Sequence, residues 1–363
     1  MKNKKTLIII GLVIIYLVIT VPIGMNIYNN LKSQPHYTPD DSVVFEYSVN
    51  IDKTTCTIKG LSNDSNPRHI SIPSKIKDYT VTSIAAGAFE NGQMETVSIP
   101  STIKSIGNNA FANCKSLYAV YGLEMCADIQ QISDKTFFLC KSLNTIKLPP
   151  DLTYIGKQAF SNCYSLKSIS FPTTIKRIDE GAFVGCLELS DVSFPDSITS
   201  FGAAAFGMCN SLREIVLPPL VQSYEMNVFG DCAALEKILV GKNNAFANSI
   251  NGVLYNKSNT ILWSYPSGKT EKQFIVPNGV ITLGSCSFSY NDHIETLYIP
   301  NSIKNLNTNV FCESINLKSI KYDGSIVDWM AIKKDFDWNA ESSNFTIYCT
   351  DGQIAKDGTV TYN

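Results

Sequence analysis

A repeat of about 23 residues runs through most of this 363-residue chain and limits what it can fold into. The marker of each unit is a recurring Phe, found at Phe89, Phe111, Phe137, Phe160, Phe183, Phe206, Phe229, Phe288 and Phe311. From Phe137 to Phe229, and again from Phe288 to Phe311, the step is 23 residues. A period this regular and this short predicts a solenoid, because each unit buries its apolar side only against its neighbours.

One unit, "SLKSISFPTTIKRIDEGAF", shows how the coil is built. Leu166 and Ile169 point inward from a first short strand, and Ile178 points inward from a second extended piece. A turn then places Phe183 in the interior. Neighbouring strands would lie ~4.8 Å apart, which predicts a β-rich repeat solenoid. We assign the glycines at the end of the second extended piece to a bend in the chain; they are Gly107, Gly156 and Gly202.

A cysteine follows the marker Phe by three residues in six units, as Cys114, Cys140, Cys163, Cys186, Cys209 and Cys232. A metal or redox ladder is one interpretation, but the sequence has no C-x-x-C pair and its three histidines share no register with these positions. Disulfides are disfavoured because equivalent side chains in stacked coils point in parallel. We therefore expect a structural Cys ladder, in which each thiol is a small buried hydrophobe.

The N-terminus is a separate segment. "MKNKK" is basic, and the twenty residues from Thr6 to Met25 carry no charge. That length spans a bilayer as a helix, and the positive-inside rule keeps the basic end in the cytoplasm. We predict a cytoplasmic tip at 1–5, a single-pass transmembrane anchor at 6–28 and a linker at 29–42, with the remainder extracellular. A cleaved signal peptide is the open alternative.

Composition and motifs exclude several functional classes. The net charge of −2 gives no reason to expect nucleic acid as a partner. The G-x-S-x-G, H-E-x-x-H, Walker and dinucleotide glycine motifs are missing from the sequence. We therefore predict a protein that is not an enzyme and that needs no cofactor or metal.

The units resemble the BspA-like, or Treponema pallidum-type, leucine-rich repeats, with "SLKSISFPTTIKRIDEGAFVGC" as the matching pattern. The stretch "YSVNIDKTTCTIKGLSND" is similar to the N-terminal cap of that family, and "IKYDGSIVDWMAIKKDFDWNAESSNFTIYCTDG" to its terminal module. The resemblance implies a curved leucine-rich-repeat array with its N-terminal cap at 43–323 and a C-terminal capping module at 324–363. The units around 118–132 and 240–251 depart from the pattern, and we expect local irregularities there.

The resemblance also implies a surface protein that binds other molecules. We expect adhesion through a protein or glycan ligand, from the host matrix or a neighbouring cell. The alternatives are an envelope scaffold that organises other exported proteins and an accessory module of an enzyme system. We predict the binding site on the concave strand face, where apolar residues and charges meet, although the convex face stays open; the candidates are Asp191, Glu214, Val216, Lys237 and Leu239.

Two tryptophans of the C-terminal module allow two interpretations. Trp329 and Trp338 either form the core of the cap or present an aromatic pair to a ligand. A solenoid needs capped ends, because its terminal coils otherwise expose both core and strand edge. We therefore favour the core interpretation.

Overall fold

The computed structural model describes residues 43–62, 67–222, 225–241 and 243–363. Over these residues the chain winds into a β-solenoid of about 12 turns, as the 23-residue period predicts. The predicted anchor at 6–28 and the linker at 29–42 lie outside the described residues. In the part of the chain that the structure describes, no helix is both long enough and apolar enough to cross a membrane.

Each coil contributes one strand to a first row, and strands are numbered here in chain order. The first row contains β3 (His69–Ser71), β6 (Thr96–Ser98), β8 (Ala119–Tyr121), β10 (Thr145–Ile146), β12 (Ser168–Ser170), β14 (Asp191–Ser193), β16 (Glu214–Leu217), β17 (Lys237–Val240), β21 (Gln273–Ile275), β23 (Thr296–Pro300), β25 (Ser319–Asp323) and β27 (Thr346–Cys349). Within each of the four sheets that make up this row, neighbouring repeat strands pair in parallel at equivalent positions, as Ser168 does with Asp191. The row therefore places the same repeat position of successive coils side by side.

A second row holds the second extended piece of each coil. It contains β7 (Ser105–Ile106), β9 (Gln131–Ile132), β11 (Tyr154–Ile155), β13 (Arg177–Ile178), β15 (Ser200–Phe201), β22 (Thr282–Leu283), β24 (Asn305–Leu306) and β26 (Lys333–Lys334). A third side is made of turns, which are also joined by backbone bonds: the Phe160 N–H donates to the Ala182 carbonyl at 2.8 Å. Backbone bonds thus join coils on all three sides of the solenoid, although the two strand rows are interrupted at places such as β10 to β12 and β7 to β9.

The two units that depart from the sequence pattern are irregular in the structure. A 3-10 helix, Leu123–Met125, lies in the unit of 118–132. The second irregularity is an antiparallel meander of β18 (Ala247–Ile250), β19 (Val253–Asn256) and β20 (Ile261–Ser264). A two-residue turn at Asn251 and Gly252, both with positive φ, joins β18 to β19, which is typical of a tight hairpin.

The interior is divided into two hydrophobic clusters that meet at this meander. The first runs from Cys56 to Leu254 and the second from Val253 to Ile354. The residues predicted to point inward are buried, including Leu166, Ile178 and Phe183, which expose none of their surface. The marker Phe rings lie at the centre of both clusters. The sequence repeat therefore corresponds to one buried Phe ring per coil.

Both ends of the array are covered. At the N-terminal end, β1 (Phe45–Val49) pairs antiparallel with β2 (Thr55–Leu61), and the cap is completed by β4 (Lys75–Ile76) and β5 (Tyr79–Ile84). At the C-terminal end, α1 (Ile326–Ala331) precedes β27, and β28 (Gly352–Ala355) and β29 (Val360–Tyr362) continue the first row antiparallel. The Ser325 hydroxyl and the Asp328 carboxylate form a capping box at the start of α1.

The repeated glycines are needed for a reason that differs from the predicted bend. Gly107, Gly156 and Gly202 do not have the positive φ that favours glycine. A Cβ built at Gly107 would lie 2.4 Å from the Ala86 nitrogen, and one at Gly202 would lie 2.3 Å from the Glu180 nitrogen. The glycines therefore permit the backbones of adjacent coils to approach each other closely.

Candidate binding face

Four of the five predicted site residues lie side by side on the exposed face of the first row. Glu214 of β16 pairs in register with Lys237 of β17, and Val216 pairs with Leu239. The Lys237 ammonium lies 3.7 Å from the Glu214 carboxylate, and both side chains are about half exposed. Val216 exposes 50% of its surface. The structure thus joins an apolar pair and an ion pair in one patch, which we call the central patch.

Asp191, the fifth predicted residue, stands apart from this patch. Its strand, β14, is hydrogen-bonded to β12, whereas β16 is hydrogen-bonded to β17 in a separate two-stranded sheet. Asp191 is exposed and occupies the equivalent position in the coil before Glu214. It therefore borders the central patch without belonging to the same sheet.

A polar cleft opens beside the central patch because the meander interrupts the regular stacking. It has a volume of about 610 Å³, and Lys237 and Leu239 form part of its wall. Asparagine side chains predominate among the other lining residues, which include Asn243, Asn244, Asn248 and Asn251. Asn244 is structural, because its amide donates to the Pro218 carbonyl at 2.9 Å and its oxygen accepts from the Ala247 N–H at 2.8 Å.

A second group of residues in the first row was not predicted as a site. Ile275, Tyr298, Lys321 and Tyr348 occupy the equivalent position in β21, β23, β25 and β27, and they are paired in register. The Lys321 ammonium lies 3.3 Å from the centroid of the Tyr348 ring. We call this set the tyrosine row. The 23-residue step from Ile275 to Tyr298 to Lys321 can be found in the sequence. Tyr348 does not follow this step, because α1 lies between it and Lys321.

A pocket lies against the tyrosine row, at the ends of the strands. It has a volume of about 330 Å³ and is lined by Ile275, Val276, Asn278, Tyr298, Ile299, Pro300, Lys321, Tyr322 and Asp323. This size lies within the range of small-molecule sites, about 300–1,000 Å³. The first row therefore has two candidate contact sites. One is the central patch, and the other is the tyrosine row with its pocket, which lies over the second hydrophobic cluster.

The six ladder cysteines are fully buried, free thiols. Each donates a hydrogen bond to the equivalent carbonyl of the preceding coil. The thiol of Cys186 donates to the carbonyl of Phe160, the marker residue of the preceding coil, at 3.3 Å. The same bond joins Cys114 to Phe89, Cys140 to Phe111, Cys163 to Phe137, Cys209 to Phe183 and Cys232 to Phe206. The thiol is thus a donor to a buried carbonyl as well as a filler, a role that the sequence analysis did not anticipate.

Burial also governs the chemistry of these thiols. It raises the pKa of Cys140, Cys163 and Cys186 well above the ordinary range of a thiol. A thiol with a raised pKa is a poor nucleophile and a poor metal ligand, since both roles require the thiolate. Among the described residues, no three His, Cys, Asp or Glu side chains are grouped to hold a metal ion.

Trp329 belongs to the core of the C-terminal cap, as the favoured interpretation predicted. It is 2% exposed, and its ring contacts Tyr322 and Trp338 edge-on. Trp338 in turn packs against Phe311 and Phe345. These rings close the second hydrophobic cluster.

Parallel coils with an inward-facing apolar residue on most strands, as Ile169, Ile215 and Leu297 show, are typical of a leucine-rich repeat protein. The family profile described as the BspA type leucine rich repeat region matches residues 42–118, 130–260 and 266–335, in six copies. The chain therefore belongs to the BspA-type leucine-rich repeat family. Its relatives are leucine-rich repeat proteins, a binding-scaffold fold, and not enzymes.

Solved structures of bacterial proteins share the fold. A leucine rich cell surface protein from Faecalibacterium prausnitzii is 25% identical, with a TM-score of 0.67 over 84% of this chain and 99% of that one. A leucine-rich repeat protein from Bacteroides ovatus is 27% identical, with a TM-score of 0.62 over 79% of this chain and 71% of that one. The pneumococcal vaccine antigen PcpA is 23% identical, with a TM-score of 0.53 over 80% of this chain and 83% of that one. No curated protein matches the chain.

Proposed function

We propose that the chain is a non-enzymatic binding protein of the bacterial cell surface and that it mediates adhesion by holding a polypeptide ligand on the central patch. Residues 6–28 would anchor it in the membrane, with residues 1–5 in the cytoplasm and the repeats outside the cell. The similarity to a protein described as a cell surface protein supports this location. The ligand would come from the host matrix or from a neighbouring cell.

The observation that carries the proposal is the composition of the central patch. Val216, which is exposed, and Leu239, which is half-buried, form an apolar pair with an ion pair, Glu214 and Lys237, directly beside it. Apolar groups rimmed by charge are typical of protein contact sites, where the apolar part supplies affinity and the charges supply orientation. In the preceding coils the equivalent positions are Ser170 and Ser193, so the apolar pair is local to this part of the row.

The experiment is a binding assay with the full-length chain in mild detergent, against host matrix extract and against the membrane fraction of the producing cell. The double variant Val216→Ser, Leu239→Ser should weaken saturable binding to a matrix protein about tenfold or more, since central apolar contacts dominate interface energy. The matched control is Ile315→Ser, Val327→Ser, which removes exposed apolar groups elsewhere on the surface.

Two results would change the proposal. Equal binding by the wild type and the Val216, Leu239 variant would show that the ligand sits elsewhere. Saturable capture of only the cell's own envelope proteins would replace adhesion with the scaffold function.

A further inference from the structure

The tyrosine row lies in the most continuous part of the first row. Here six strands, β21, β23, β25, β27, β28 and β29, form one sheet, whereas the central patch stands on a sheet of two strands. Strands β23 and β25 are each five residues long, compared with three in β12 and β14. The longer strands extend the sheet past Tyr298 and Lys321 and create the walls of the 330 Å³ pocket.

The pocket combines an apolar wall with a polar mouth. Ile275 supplies a side chain that is 70% exposed, and Ile299 and Pro300 are buried behind it. Asn278 and Asp323 are exposed lining residues. An amide and a carboxylate together provide both hydrogen-bond donors and acceptors, so the mouth suits a ligand whose groups also do both.

The charges of the pocket balance. Lys321 is its one cationic lining residue and Asp323 its one anionic lining residue. The Lys321 ammonium is also held against the Tyr348 ring, where a cation–π contact stabilises it. A phosphate or carboxylate ligand would meet Asp323, and a cationic ligand would meet Lys321. The electrostatics therefore favour a neutral ligand.

The sheet itself excludes one common mode of peptide binding. A peptide that adds as a strand needs an open sheet edge with unpaired backbone groups. Strands β23 and β25 have partners on both sides, β21 and β25 for the first and β23 and β27 for the second. Recognition at this pocket therefore relies on the lining side chains, whose apolar wall suits an apolar face of a ligand and whose Asn278 and Asp323 suit its hydrogen-bonding groups.

We infer that the pocket binds a neutral sugar residue of an oligosaccharide. The apolar face of the sugar ring packs against Tyr298 and Ile275, and its hydroxyl groups exchange hydrogen bonds with Asn278 and Asp323. Tyr348, which is 37% exposed, extends the aromatic surface for the next sugar of the chain. This site lies in different strands from the central patch and does not depend on the proposed polypeptide ligand.

The test is binding of the full-length chain to an array that holds neutral, sialylated and sulfated oligosaccharides together with peptides. It is run in a polyoxyethylene detergent, since a sugar-based detergent would compete. The wild type should bind a defined subset of the neutral oligosaccharides saturably. Tyr298→Ala should weaken that binding about tenfold, because the aromatic contact is lost, and Tyr298→Phe should retain it. Asp323→Ala should weaken it as well, since the hydroxyl groups lose an acceptor.

Two variants serve as controls for folding and for location. Tyr121→Ala removes the tyrosine at the equivalent position of β8 and should leave sugar binding unchanged. The Val216→Ser, Leu239→Ser variant should also bind sugar normally even where it loses its polypeptide ligand. Each variant should keep the melting temperature of the wild type within a few degrees, as expected for surface changes.

Four outcomes would overturn the inference. They are failure of the wild type to bind any neutral oligosaccharide at millimolar concentration, equal binding by wild type and Tyr298→Ala, binding restricted to sialylated or sulfated sugars, and selection of a peptide at this pocket instead of a sugar. The last two would show that charge or a polypeptide, and not a neutral ring, is the feature recognised.

Discussion

The coils before the meander, which we call the first array, and those after it, the second array, pack their marker Phe rings differently. Before it, the marker rings from Phe89 to Phe206 stack nearly parallel, with centroids 5.0–5.5 Å apart and interplanar angles of 4–16°. After it, Phe288 and Phe311 are 5.8 Å apart and tilted by 35°, and Phe311 meets Trp338 edge-on. The last pair before the meander, Phe206 and Phe229, already opens to 5.8 Å and 24°. The near-parallel geometry is therefore confined to the regular coils, whereas the shorter second array adapts its rings to the cap.

The slot three residues after the marker Phe differs between the two arrays as well. It is a cysteine in six of the seven coils of the first array and Gly92 in the coil of Phe89, whereas it is Asn291 and Ser314 in the second. The Ser314 hydroxyl donates to the Phe288 carbonyl at 2.6 Å, the equivalent of the bond that each ladder thiol makes. The comparison teaches that a small side-chain donor to the marker carbonyl suits the slot and that a thiol and a hydroxyl can both supply it. The slot does not require one, since it is also occupied by Gly92 and by Asn291, whose buried amide nitrogen has no hydrogen-bond partner among the described residues.

The largest expected effect concerns the ring stack. Phe183→Ala should lower the unfolding free energy of the first array by about 3–5 kcal/mol, since it empties a fully buried slot between two rings. Hydrogen exchange should show the loss in the coils of Phe160 and Phe206, with the second cluster still protected. Equal loss of protection at Leu297 and Ile320 would instead mean that both clusters unfold as one cooperative unit.

The side-chain donor in this slot predicts the next largest effect. Cys186→Ala and Ser314→Ala should each cost about 1 kcal/mol, because each removes a side-chain donor from a buried marker carbonyl. The Phe160 carbonyl keeps a second donor, the Cys163 N–H at 3.2 Å. Cys186→Ser should cost less than Cys186→Ala, since the hydroxyl can still donate. Denaturation of the three variants checks the order, and a serine as damaging as alanine would show that the slot is governed by volume alone.

A smaller and chemical difference is expected in thiol reactivity. Cys286 and Cys349 of the second array are only half-buried, whereas the six ladder thiols are fully buried. Burial raises the pKa of Cys349 to about 11, so its thiolate fraction and its labelling rate should still be rising between pH 9 and pH 11. Alkylation of the folded chain followed by mass spectrometry should mark these two first. Early labelling of Cys163 or Cys186 would contradict the closed packing of the ladder.

The smallest effect should come from surface charge. Glu295 lies between Lys272 and Lys318 of the flanking coils, and these ammonium groups lower its pKa to about 2. A lowered pKa stabilises the folded state above the unfolded pKa of ~4.3, and this contribution is lost as the pH falls toward 2. Glu295→Gln should slightly lower the melting temperature at pH 7 and leave it unchanged near pH 2. In the first array Glu188→Gln, which breaks only one pair with Lys167 at 3.8 Å, should do less.

The repeat period was sufficient to predict the coil, its inward residues and the alignment of Glu214 with Lys237. The departures from the pattern at 118–132 and 240–251 predicted where the coils become irregular, but the period could not predict the form of each irregularity, a 3-10 helix and an antiparallel meander. The hairpin turn at Asn251 and Gly252 had a local signal, an Asn-Gly pair between apolar runs, which the long period obscured. Tyr348 joins the tyrosine row because β27 pairs with β25 although α1 lies between them in sequence. This pairing depends on the tertiary structure and cannot be derived from the 23-residue period. The role of the ladder thiol as a donor depends on the neighbouring coil, which no single unit reveals.

Because each coil is bonded chiefly to its two neighbours, the array is also a mechanical element. A bound ligand that pulls on the C-terminal sheet would peel coils one at a time, and each 23-residue step would release about 80 Å of extended chain. The meander would break this series, since β18, β19 and β20 are bonded to one another. Under load, the molecule would lengthen in steps, with one pause near the middle.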